Sequence, residues 1–194
     1  MLPRRAVTYR EAITIAEHQA NRLTSAWGSH SVREDGIRAL TRIDIVRADP
    51  SECGDSTHSG ASRYTGGRWI VWLDATESEA RQRFTLCHEL KHILDWPHQS
   101  SYRNLTQQEI ERVCDHFAGC LLMSKRAIYQ LWGDGLRTPE ALAAACRVSL
   151  AAMKVRLKIL RLPINSGRQH AHACRTRPYT RFPAPTPQRA EICA

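Results

Sequence analysis

His88 and His92 stand four residues apart, with Glu89 beside the first. On a helix this spacing brings both rings to one face, about one turn apart. Two imidazoles so placed can share a tetrahedral metal ion, and an adjacent carboxylate can serve as general base. A hydrolytic site of this kind needs a third protein ligand and keeps one position open for water. Glu109, Glu111, Asp115 and His116 follow downstream. Glu109 closes a capping box that begins at Thr106, which gives its carboxylate a structural task. Glu111 and Asp115 again lie four apart, and eighteen residues separate His92 from Glu111, enough for a loop and an antiparallel return. The spacing therefore predicts Glu111 as the third ligand. Asp115 is expected to accept a hydrogen bond from the non-metal nitrogen of His88 or His92. The competing interpretation is a polar helix face in which these acids pair with Arg112 or Lys91. Zn²⁺ is the expected cofactor, and a His₂Glu donor set also accommodates Mn²⁺ or Fe²⁺.

The elements that must position these residues can be read along the chain. Thr8 to Glu11 forms a capping box ahead of a helix that runs to about Trp27, and Ile37 and Leu40 fit a short second helix. Ile43, Ile45 and Val46 suit a strand that stops at Asp49-Pro50. Residues 50–62 have loop composition. Tyr64 to Asp74 reads as a hairpin turning at Gly66-Gly67, with Trp69–Asp74 as its apolar strand. A peptide is expected to add to the edge of that strand. Thr76 to Glu79 reads as a capping box for the histidine helix, which Trp96-Pro97 ends. Residues 97–105 read as a polar loop, and a helix follows from Thr106 to about Met123. Ile128, Leu131 and Trp132 suggest a short helix that ends at Gly133 to Gly135. Thr138-Pro139 and Ser149 then open two more helices, the last running to about Leu162.

Charge is placed unevenly. The 194 residues carry a formal net charge of +9, yet residues 1–140 hold 18 basic and 18 acidic side chains. The excess lies entirely in residues 141–194, whose only acid is Glu191. A uniformly basic protein is excluded. Residues 138–162 have a helix–turn–helix outline, with Lys154, Arg156, Lys158 and Arg161 on the last helix; a helical module packed on the core has the same outline and is the favoured reading, with weak nucleic-acid contact through residues 141–194 as the alternative. Residues 163–194 hold five of the nine prolines and read as a basic disordered tail, where His170 and His172 are solvated. The seven cysteines include no Cys-x-x-Cys pair, and several lie in apolar helical contexts, as reduced core thiols do. No apolar segment follows Met1 to Ala6 and none is long enough to cross a membrane, so a cytoplasmic location without membrane attachment is expected.

The segment Arg83-Phe-Thr-Leu-Cys-His-Glu-Leu-Lys-His-Ile-Leu94, followed by Glu111-Arg-Val-Cys-Asp-His-Phe-Ala-Gly-Cys-Leu-Leu-Met123, resembles the ImmA/IrrE metallopeptidases, a gluzincin-like family. The resemblance spans about residues 8–162. Lys91, Cys114 and Ser124 depart from the family pattern, and none of them removes a ligand or the base. The resemblance implies an α+β, zincin-like minimal metallopeptidase over residues 1–162. A small mixed or antiparallel sheet would lie on the active-site helix, with a C-terminal helical module at 138–162. It also implies a protein substrate, a helix–turn–helix repressor of a phage, mobile element or stress regulon, with Glu89 as catalytic base. Tyr64, His98, Tyr102, Arg112 and His116 are the candidates for stabilising the oxyanion. The alternative is a DNA-binding or repressor-binding regulator whose metal site is structural or inactive.

Overall fold

A computed structural model of the chain describes residues 2–27, 34–49 and 59–164. The expected tail beyond residue 164, with His170 and His172, lies outside these described residues, as do residues 50–58 of the expected loop. Among them are seven α-helices and a three-stranded mixed sheet, an α+β fold. In chain order these are α1 (Tyr9–Trp27), α2 (Glu34–Thr41), β1 (Ile43–Ala48), β2 (Gly60–Thr65), β3 (Arg68–Asp74), α3 (Glu79–Asp95), α4 (Gln107–Leu122), α5 (Lys125–Gly133), α6 (Pro139–Cys146) and α7 (Leu150–Ile159). None of the described helices is long and apolar enough to cross a membrane.

The sheet runs in the order β1-β3-β2, with β1 parallel and β2 antiparallel to β3. Gly66 and Gly67 adopt φ of 57° and 80°, the positive values that a tight hairpin turn requires. Two expectations need correction here. Strand β2 begins at Gly60, so residues 60–62 are not loop; their small polar side chains hide a strand fixed by pairing with β3. The strand Trp69–Asp74 is central, paired on both sides, and therefore has no edge to offer a peptide. The edges belong to β1 and β2.

Strand β3 buries Val71 and Leu73 against α3, which contributes Leu86, Leu90 and Ile93. On the other side of the core, α4 buries Val113, Phe117, Ala118 and Leu121. Helix α1 presents Ala12, Ala16 and Ala20 at zero exposure and packs along α4. A stripe of small side chains lets two helix backbones come close. Gly60 does the same between β2 and α3: a Cβ there would lie 2.4 Å from Thr85 Cγ2 and 2.7 Å from the Trp72 carbonyl oxygen. Gly60→Ala is therefore expected to destabilise the fold by about 1–3 kcal/mol, read as a lower urea midpoint.

Helix ends follow local chemistry. The capping box at Thr106 and Glu109 is formed, and Thr8 and Glu11 exchange the equivalent bonds. Thr138 and Ser149 cap α6 and α7. The expected box at Thr76 does not form. Thr76 instead donates from its amide and hydroxyl to Asp74, and Ser78 caps α3 by accepting from the Arg81 amide. After α3 the chain enters a 3₁₀ segment, Trp96–Tyr102, rather than a polar loop, and buries Ser101 and Tyr102. Ser101 donates to the Pro3 carbonyl and accepts from the Val7 amide through its own carbonyl, which ties the N-terminus to this segment.

The C-terminal helices are fastened to the site helix. Arg83 of α3 donates to the carbonyls of Cys146 and Arg147 at 3.2 and 2.8 Å, where α6 ends with Arg147 in the left-handed region at φ 54°. Arg156 is 2% exposed, so it is no part of a DNA-reading face. Its side chain turns inward to the Met123 carbonyl and Cys120 Sγ. Lys154, Lys158 and Arg161 remain exposed.

Candidate metal centre

Helices α3 and α4 pack against each other, and their facing surfaces bring the predicted residues together. His88 Nε2 lies 3.1 Å from His92 Nε2 and 3.0 Å from Glu111 Oε2. His92 Nε2 lies 3.5 Å from the same Glu111 oxygen. The triangle is closed by the i,i+4 spacing within α3 and by the return of α4, whose residues Glu111 and Asp115 stack one turn apart. Asp115 Oδ1 lies 2.9 Å from His88 Nδ1. A carboxylate only accepts, so Nδ1 carries a proton and donates. That orientation turns the other nitrogen of His88 toward His92 and Glu111.

The donor set fits a metal ion. Three acceptor-capable atoms converge on one point, and a single ring proton cannot satisfy all three contacts. A cation among them can. Tetrahedral ligands at the ordinary Zn–N and Zn–O bond lengths stand about 3.3–3.5 Å apart, close to the three separations observed. Burial disfavours the charged form of His88, yet the Asp115 hydrogen bond, with the charges of Asp115, Glu89 and Glu111, raises its pKa above the ordinary histidine value. The site thus attracts positive charge, whether proton or metal.

Glu89 sits next to this triangle, 9% exposed, with Oε2 accepting from the Ser62 hydroxyl at 2.6 Å. Ser62 lies on β2, the sheet edge beside α3. Nothing in the sequence marks it, because the strand order alone brings it to Glu89.

Cys114 was also not anticipated at the site. Its Sγ lies 3.7 Å from His92 Nδ1, and ligand atoms of His88, His92 and Cys114 fall within 4.8 Å of one another. Burial, offset in part by Lys91, raises the pKa of this thiol well above its ordinary range. The His88–His92–Glu111 triangle is tighter, and its three atoms face one another directly. Cys87, beside His88 in sequence, is buried as expected of a core thiol, and burial pushes its pKa up to about 12.

Lys91 has zero exposure and belongs to a network behind the site. Its ammonium pairs with Asp95 and lies 3.1 Å from the Tyr102 hydroxyl, which also donates to Asp95. The rings of Tyr102 and Phe117 each stand 5.8 Å from the same nitrogen. Burial pulls the Lys91 pKa down, and Asp95 opposes that shift. This engagement removes Tyr102 from the candidates for oxyanion stabilisation. Tyr64 is exposed and stacks against Trp69 at 5.3 Å. Arg112 and His116 line a cavity bordered by Asp115.

The sequence profile of the IrrE N-terminal-like domain, a peptidase family, matches residues 43–158. The chain belongs to that family. It is a metallopeptidase by that membership, a hydrolase acting on peptide bonds, and its substrate is a protein or peptide. The α+β fold agrees with the zincin-like domain of such peptidases. The matched span takes in the sheet, α3, α4 and the C-terminal helices of this peptidase, while α1 and α2 precede it. No curated protein matches the sequence.

Proposed function

We propose that this peptidase is a Zn²⁺-dependent endopeptidase, with His88, His92 and Glu111 as ligands, Asp115 as the residue that orients His88, and Glu89 as general base. The observation that carries the reading is the convergence of two imidazole nitrogens and one carboxylate oxygen within 3.5 Å, beside the Glu89 carboxylate, which accepts from Ser62. Bound at that triangle, a divalent cation would polarise the scissile carbonyl and make a water molecule acidic enough to attack at neutral pH. Glu89 takes the proton of the attacking water and passes it to the departing amine. Ser62 holds the Glu89 carboxylate in place for both transfers. Strand β2, at the sheet edge beside Glu89, accepts the substrate as an added extended strand.

The substrate class that fits best is a helix–turn–helix repressor, as the family resemblance implies. The chain works in the cytoplasm on this reading, where repressors are found. Incubating the full-length protein with Zn²⁺ and the repressor encoded beside its gene should give two fragments by mass spectrometry. A chelator should stop the reaction. A repressor left intact by protein shown to hold zinc would count against the reading. Metal content tests the ligands separately: His88→Ala should lose zinc, and Glu89→Gln should keep it.

A further inference from the structure

Strand β2 runs beside α3, and two contacts fix which of its faces turns to the helix. A Cβ at Gly60 would meet Thr85, and the Ser62 hydroxyl donates to Glu89 at 2.6 Å. Thr85 and Glu89 are one helical turn apart, so strand and helix proceed in the same direction. Residues two apart on a strand share a face and stand about 7 Å from each other. Tyr64 is therefore the next residue of β2 on the face that carries Gly60 and Ser62. Its partner across the ladder is Trp69 of β3, and direct partners share a face.

The rings of these two residues lie 5.3 Å apart at a tilt of 56°. Trp69 also meets Trp96, the residue that caps α3, at 5.5 Å and nearly edge to face. A row of three rings thus leads from the end of α3 across β3 to β2. It stops at the rim of the sheet, because among the described residues β2 pairs with β3 alone. Tyr64, the last ring, is 56% exposed, with an aromatic partner on one side and the open edge on the other.

We propose that Tyr64 determines specificity by packing against one substrate side chain, an aromatic or β-branched one, at the position opposite Tyr64. That position lies two residues along the substrate from the one opposite Ser62, which stands beside Glu89. The proposal rests on the reading of β2 as the strand to which substrate adds. Side chains directly opposite on one face of a sheet come within about 5 Å, and aromatic–aromatic and aromatic–β-branched pairs are the favourable ones. A cationic side chain is the other group drawn to an aromatic face. The exposed Arg63, next to Tyr64 in the strand, disfavours it.

Nuclear magnetic resonance titration of the full-length, zinc-loaded Glu89→Gln protein tests this with three peptides of nine residues. Each consists of serine and threonine around a central phenylalanine, serine or lysine, and the amide shifts of β2 report binding. The phenylalanine peptide should bind at least about fivefold more tightly than the other two. Tyr64→Ala, added to the same chain, should abolish that preference and leave the serine peptide's affinity within about twofold. Tyr64→Phe should keep the preference, because the ring and not the hydroxyl makes the contact. Mass spectrometry of the same peptides after incubation with the zinc-loaded parent protein reads hydrolysis separately. A phenylalanine preference that vanishes in Tyr64→Ala supports the proposal even where no peptide is cut, an outcome that would count against the endopeptidase reading alone. Equal affinity for the three peptides, no measurable binding of the phenylalanine peptide, tighter binding of the lysine peptide, or a preference unaltered in Tyr64→Ala would overturn the proposal, whether or not the parent protein cuts them.

Discussion

Glu89→Gln is expected to slow peptide hydrolysis by about 10²–10⁴-fold, the range for losing a positioned general base. Glutamine keeps the shape and can still accept from Ser62, but it cannot take a proton from water. The protein should fold normally and bind its metal as before, because the three candidate ligand atoms belong to His88, His92 and Glu111. Single-turnover rates beside metal analysis separate the two properties. Ser62→Ala makes the useful comparison. It removes the hydroxyl that lies 2.6 Å from Glu89 and leaves the carboxylate itself. Its effect should be smaller, about tenfold or less, the value of one hydrogen bond to a charged group. Full activity in Glu89→Gln would falsify the base assignment and leave the family membership untouched.

Asp95→Ala carries the largest expected effect on stability. The change leaves the Lys91 ammonium at zero exposure with only the Tyr102 hydroxyl and two ring faces for company. Breaking a buried pair on one side costs about 3–5 kcal/mol. Replacing both partners, with Lys91→Met and Asp95→Asn together, should cost much less because no uncompensated charge remains. Urea unfolding of the parent, the single variant and the double variant reads this directly. A single variant as stable as the double one would mean that the buried ammonium is not the source of the cost.

The convergence of His88, His92 and Glu111 was legible because these residues lie in two helices with i,i+4 pairs, where local periodicity alone sets the face. His88 with His92, and Glu111 with Asp115, are such pairs, and the chain length between them permits only a short return. The helix caps at Thr106, Thr138 and Ser149 were legible for the same local reason. Ser62 was not, because β2 meets α3 only through the order of the sheet, which no spacing rule encodes. The start of β2 was lost in Gly-Ala-Ser-Arg, a composition without apolar alternation. Lys91 and Asp95 did show an i,i+4 signal, but a lysine on a helix reads as solvent-facing. Its burial depends on Tyr102 and Phe117, which arrive from two other elements. Arg156 reads as part of a basic face for the same reason: the other cations of its helix, Lys154 and Lys158, are exposed, and the Met123 carbonyl and Cys120 that hold it come from another part of the chain.

The packing of α1 on α4 bears on the order in which the molecule can assemble. Between Trp27 and Gln107 lie 79 residues, and the ribosome must deliver all of them before the alanine stripe of α1 meets its partner. The histidines of α3 are brought side by side by their own helix, well before that. Glu111 emerges later and arrives on the helix that α1 also needs. Closure of the triangle and docking of the N-terminal helix therefore wait for the same helix, Gln107–Leu122, and fall close together, an arrangement of distant contacts that slows folding. It also means that a nascent chain holds no complete hydrolytic centre until most of its own fold is in place to contain it.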